Sequence, residues 1–102
     1  RIKERHKTGT FYEIHPDGSK VEHIVKDKYE VVLGNDSIHV KGNVKVYVDG
    51  DSDVNIAGSA SITTGSSMTL TSGGNFSAYV GGSCQMTSVG PMRFIAPTID
   101  IN

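Results

Sequence analysis

The chain has 102 residues, with ten Lys and Arg against eleven Asp and Glu, 36% apolar residues, one cysteine and no tryptophan. Its balanced charge gives no electrostatic ground for holding nucleic acid or an anionic membrane surface. Cys84 has no partner for an internal disulfide, and no apolar run approaches the ~18 residues of a membrane helix, so oligomerisation is the stabilising device that composition leaves open for so small a core.

Taken in chain order, "RIKERHK" at residues 1–7 reads as a solvated linker from an upstream domain. The start at Arg1 reads as a piece cut from a longer polypeptide. "TFYEIH" and "KVEHIV" then flank "HPDGS", in which Pro16, Asp17 and Gly18 follow in the order of a tight turn. The spacing predicts a β-hairpin there and a second short turn at "VKDK". Residues 8–33 are therefore expected to form an antiparallel β collar.

From Gly34 a residue suited to a corner recurs every eight positions: Gly34, Gly42, Gly50, Gly58, Ser66, Gly74, Gly82 and Gly90. Gly65 stands beside the one exception. A sharp change of direction needs positive φ or a close backbone approach, and glycine allows both. Within each octad the second, fourth and sixth residues after the corner are mostly apolar. They include Ile38, Val40, Val44, Val46, Val48, Val54, Ile56, Ile62, Met68, Leu70, Phe76, Val80, Met86, Met92 and Phe94. The other parity is rich in Asn, Ser, Thr, Lys and Asp. Strict alternation is the strand signal, and no helical period competes with it.

Three strands of eight complete one circuit of a triangular prism. A single chain stacking on itself would make a solenoid of fewer than three turns with open ends. Three intertwined copies would supply each other's neighbouring strands. The expected fold is accordingly all-β: an intertwined trimeric β-helix over residues 34–97, headed by the collar and closed by residues 98–102. Pro97 interrupts the pattern, and Ile99 and Ile101 take the opposite parity. Pro97, Ile99 and Ile101 would make an apolar tip, read either as a docking site or as a buried cap.

Catalytic and metal signals are weak. None of His6, His15, His23 and His39 forms a close zinc-ligand pair; His15 and His23, eight apart, could face each other across a hairpin. Asp49, Asp51 and Asp53 start like a calcium loop, but Val54 stands where glycine is needed and Ala60 where glutamate is needed. "SGGN" and "GGSC" lack the lysine of a phosphate loop. Glu13, Glu22 and Glu30 could supply a carboxylate pair, yet they fall in collar strands with no evident cleft. Cys84 reads as a small inward hydrophobe or as one member of a ring on the axis. Asp36, the one inward charge, reads as solvated or as an axial ion ligand. No catalytic, metal or cofactor residue is assigned, and ions or lipid along the axis stay open.

"GTFYEIHPDGSKVEHIVKDKYEVVLG", followed by "VKGNVKVYVDGDSDVNIAG", resembles the C-terminal β-helix of the central spike of T-even-like contractile phage tails, the tail-associated lysozyme or baseplate hub spike. It is also similar to the VgrG spikes of type VI secretion. "VKGNV" and "YVDGD" carry most of the likeness. The later octads, such as "TTGSSMTLTSGG", depart from the valine-rich pattern and match by spacing alone. The resemblance implies a homotrimer in the virion's tail baseplate, driven mechanically through the bacterial outer membrane as the sheath contracts. It implies an OB-fold and lysozyme domain upstream, no enzyme activity in this segment, and a PAAR-type tip protein on the C-terminal end. Absence of a His-x-His pair argues against the iron-binding apex of some shorter spikes. A secretion-system spike, a tail-fibre or adhesin shaft, and a monomeric solenoid enzyme acting on polysaccharide are the alternatives.

Overall fold

A computed structural model describes residues 1–102. The chain is all-β where it is regular, with no helix. It divides into two units, Arg1–Asp53 and Val54–Asn102.

The first unit opens with three short strands, β1 (Ile2–Arg5), β2 (Phe11–Ile14) and β3 (Lys20–His23), in an antiparallel sheet of order β1-β2-β3. Arg5 pairs with Phe11 and Phe11 with His23, while Glu4 pairs with Tyr12 and Tyr12 with Glu22. The hairpin expected at "HPDGS" is present. His15 N–H donates to Ser19 O at 2.9 Å and Gly18 N–H to His15 O at 2.9 Å. Gly18 takes φ 91°, the left-handed residue that closes a three-residue hairpin. Asp17 Oδ1 accepts from Ser19 N–H at 3.0 Å and fixes the turn from its own side chain.

The linker expected over residues 1–7 is corrected here, because Ile2–Arg5 is a sheet strand. The turn that makes it one repeats the geometry of the second hairpin. His6 N–H donates to Thr10 O at 2.7 Å, Gly9 N–H to His6 O at 3.0 Å, and Gly9 takes φ 101°. Strand pairing ends at His23, short of residue 33. Beyond it Val25 N–H donates to Thr10 Oγ1 at 3.1 Å, so the chain leaving β3 folds back over the first turn. The chain bends at residues 25–26, inside the turn expected at "VKDK".

Past this point the octad cadence is visible in the backbone. The first unit bends at 33–34, 41–42 and 49–50. The second bends at 57–58, 65–66, 73–74, 81–82, 89–90 and 97. The bend at 65–66 places Gly65 in the corner whose eighth-position residue is Ser66. Between bends the chain is neither helical nor paired, and no backbone–backbone hydrogen bond involves any residue beyond His23. The corner glycines do not have the left-handed backbone considered for them: only Gly9 and Gly18 have positive φ. A hairpin must reverse the chain within three residues. A corner only redirects it, without a closing hydrogen bond, and negative φ suffices. A methyl group on any corner glycine would meet nothing within 4 Å in the same chain.

Two outcomes follow. Gly9→Ala and Gly18→Ala each force a left-handed alanine, at about 1–2 kcal/mol. Gly9→Ala is expected to cost more, because its new Cβ would sit 3.2 Å from Val25 Cγ2; thermal melts of the two variants give the order. The backbone and side-chain hydrogen bonds of Ser19 hold the Asp17 carboxyl below its ordinary value of 3.8. A depressed folded value means that the turn's contribution is complete above the unfolded pKa and fades as pH falls through the folded one. NMR titration of Asp17 should give a midpoint below 3.8, and Asp17→Asn should flatten this acid dependence of the hairpin.

Candidate functional site

The sheet has two chemically unlike faces, fixed by its register. On one, Arg5 lies over the Phe11 ring at 4.6 Å, and Phe11 stacks on His23 with centroids 5.3 Å apart. The next row holds Lys3, Glu13 and Val21. Glu13 is the one buried residue of the chain, and three basic side chains close around it. Arg1 donates to Glu13 Oε1, Lys3 Nζ stands 4.0 Å from the same oxygen, and His15 Nε2 stands 3.9 Å from Oε2. A buried carboxylate requires such compensation. Glu13 therefore ties Arg1 and, in β1, Lys3 to the middle strand.

The opposite face carries Ile2, Ile14 and Lys20 in one row and Glu4, Tyr12 and Glu22 in the next. Here the structure corrects the expectation that the collar has no cleft. An open depression of about 260 Å³ is lined by Glu4, His6, Thr10, Phe11, Tyr12, Glu22 and Ile24. Its carboxylates are Glu4 and Glu22 rather than the trio considered from sequence. Glu13 is on the other face, and Glu22 and Glu30 share Lys28 at 3.7 and 3.6 Å. Neither Glu4 nor Glu22 has a side-chain hydrogen bond that orients it, and Glu22 is held outside by Lys28, so the depression poises no carboxylate pair for chemistry. Recognising β1 is what would have found it, since Glu4 joins the row only once β1 pairs with β2.

His15 and His23 do not face each other: His15 stands by Glu13 and His23 lies against Phe11. The structure brings together no group of three or more His, Cys, Asp or Glu side chains. Asp36, Asp49, Asp51, Asp53 and Cys84 are all exposed in the single chain.

The octads form the larger feature. No apolar side chain of the chain is buried. The positions expected inside, from Ile38 to Phe94, are 45–82% exposed, whereas Tyr47, Tyr79, Val89 and Ile95 on the other parity are 83–110% exposed. The two parities thus differ even in one copy. Pro97, Ile99 and Ile101 are exposed beyond the last corner. Two polar residues of the inward parity are satisfied by their own chain. Thr64 Oγ1 donates to Ser66 O at 3.1 Å and Ser72 Oγ to Asn75 O at 2.9 Å, each across a corner. What this surface offers is adhesion rather than catalysis: periodic apolar side chains beside backbone amides and carbonyls with no backbone partner in the chain.

The Glu13 cluster makes a direct test possible. Glu13→Ala should release β1 while leaving the β2–β3 hairpin in place, with a loss of about 1–2 kcal/mol, since the basic partners are half-exposed and screened. Amide exchange at Glu4 and His6, whose N–H groups face β2, should accelerate, with exchange in β3 nearly unchanged.

The chain is similar to Protein Gp5 of Vibrio phage KVP40, at 49% identity over 41 residues. The match covers 40% of this chain, which spans about a tenth of the length of that curated relative. No family model and no solved structure matches the chain. The likeness is to a phage protein, which agrees with the phage side of the resemblance.

Proposed function

We propose that this chain is the β-helical part of the central spike of a contractile phage tail, a mechanical needle in which three copies intertwine and pierce the bacterial outer membrane. The observation that carries this reading is the backbone beyond His23. It bends every eight residues, yet forms no backbone hydrogen bond with itself. A single-chain solenoid would pair each octad with the one a circuit later, and no such bond is present. Three interwoven copies would place a strand of another copy on both sides of every octad and turn the apolar parity into a shared core.

In this reading the chain's own residues supply no chemistry. Their task is to carry axial load. Interwoven strands slide only by breaking ladder hydrogen bonds on every face at once, so the shaft resists both compression and unwinding. The outward parity of Ser, Thr, Asn and Lys presents no broad apolar patch to lipid. Pro97, Ile99 and Ile101 would seat a PAAR-type tip protein. Similarity to a phage protein favours a phage needle over a secretion-system spike.

Native mass measurement tests the reading. The chain is expected at three times its 10.9 kDa mass, resistant to cold SDS. Val46→Asp, which puts a carboxylate on the inward parity, should reduce the trimer to single chains. A wild-type chain that stays at 10.9 kDa at micromolar concentration overturns the proposal.

A further inference from the structure

In a cyclic trimer each copy meets its neighbours through two different patches, one against the next copy and one against the previous. The sheet has two such patches. On its two faces β2 is half-buried apart from the buried Glu13, with the flanking strands exposed, and the faces differ in charge. One carries Arg1, Lys3 and Arg5 against the single carboxylate Glu13. The other carries Glu4 and Glu22 beside Lys20, with Glu22 held by Lys28, which also reaches Glu30.

Within this set two neighbouring residues of β1 stand out. Arg5 contacts the Phe11 ring but has no carboxylate within ion-pair distance. Glu4 has no basic partner at all. As consecutive strand residues they point to opposite faces. One copy therefore shows an unpaired cation on one side of its sheet and an unpaired carboxylate on the other, at nearly the same height along β1.

We infer that the sheets of neighbouring copies dock in a ring, the Arg5 face of one copy against the Glu4 face of the next. Each Arg5 then meets the partner copy's carboxylate, and Tyr12 and Ile14 are covered by the Phe11–His23 face. The inference rests on the proposed trimer and adds what the octads do not specify: which sheet face meets which, and hence the direction of rotation around the ring. The occupant is a second copy, because intertwined octads would bring the three sheets to the same end and because the two faces are complementary in charge.

The test is a charge swap within one strand. Glu4→Arg alone sets guanidinium groups face to face around the ring, and Arg5→Glu alone sets carboxylates face to face. The double variant restores an opposite pair at every contact. Native mass on the wild-type chain comes first: a single-chain mass removes the trimer reading itself, before any question about the sheets. Given a trimer, which the octads would hold in every variant, amide exchange over residues 2–23 is read for each. Turning attraction into repulsion at one such contact should speed exchange on the order of tenfold in each single variant. In the double variant exchange should fall below that of both single variants, to or below that of Arg5→Gln, which lacks both the contact with Phe11 and the ion pair between copies. Additive losses in the double variant, or single variants indistinguishable from Arg5→Gln, overturn the inference.

Discussion

The constraint on which everything else depends is the hydrogen-bonding demand of a backbone that does not pair with itself. From Val25 to Asn102 the chain follows a fixed cadence of bends without one internal backbone–backbone bond. Ordering a residue costs about 1–2 kcal/mol of backbone entropy, and neither a ladder nor a buried apolar side chain offsets that cost within a single copy. Sheet edges of this kind are templates for another strand. Octads of one fixed length make the spacing of the template uniform, so that a partner of the same cadence fits at every level. The alternation of apolar and polar positions suits the proposed arrangement directly, since in it one side of each unpaired run would be wetted while the other is covered.

The glycines show the same division of labour. Gly9 and Gly18 serve their own chain. Each takes a left-handed backbone, each closes a hairpin, and Gly9 also leaves room for Val25. The corner glycines do neither within one copy, being without positive φ and with open space around the missing Cβ. The sheet is therefore built from local turn chemistry and a carboxylate clamp, and it holds together in a single copy. The octads are built from a pattern that has no completed meaning in one copy.

Much of this was legible in the sequence, for identifiable reasons. The octad corners fall where the spacing placed them, including the substitution of Gly65 for a glycine at 66, because a fixed repeat length is a global signal that survives local variation. "HPDGS" was legible because proline, aspartate and glycine each favour a specific position of the turn. β1 was not, because its alternation is written in charge: Arg1, Lys3 and Arg5 on one parity, with Ile2, Glu4 and His6 on the other. Apolar periodicity does not register such a strand. The available clue was a repeated spacing, since "HKTGT" and "HPDGS" share a histidine, a glycine three residues later and a hydroxyl residue after it. The burial of Glu13 was equally hidden, because it depends on cations that β1 brings from across the sheet. The cleft between Glu4 and Glu22 was lost with β1.

The departures from alternation make a last point about how such a repeat tolerates change. The octads from Gly42 to Gly58 are rich in Val and Ile on the inward parity, while later ones mix Met, Leu and Phe with Ser, Thr, Ala and Cys. In the octads of Met68 and Leu70, Phe76 and Val80, and Met92 and Phe94, the remaining inward residue is smaller: Ser72, Ala78 and Ala96. Large and small residues thus offset one another within these octads, as the shared core of the proposed trimer would require. A hydroxyl on the inward parity would be costly if it depended on a neighbouring copy for its hydrogen bond. Thr64 and Ser72 avoid that dependence by donating to carbonyls of their own chain across the corner. In the proposed trimer they would therefore occupy the covered side without specifying anything about the strand that covers them. This allows the valine-rich pattern to give way to a Ser- and Thr-rich one while the eight-residue cadence, the feature that a partner strand must match, is kept.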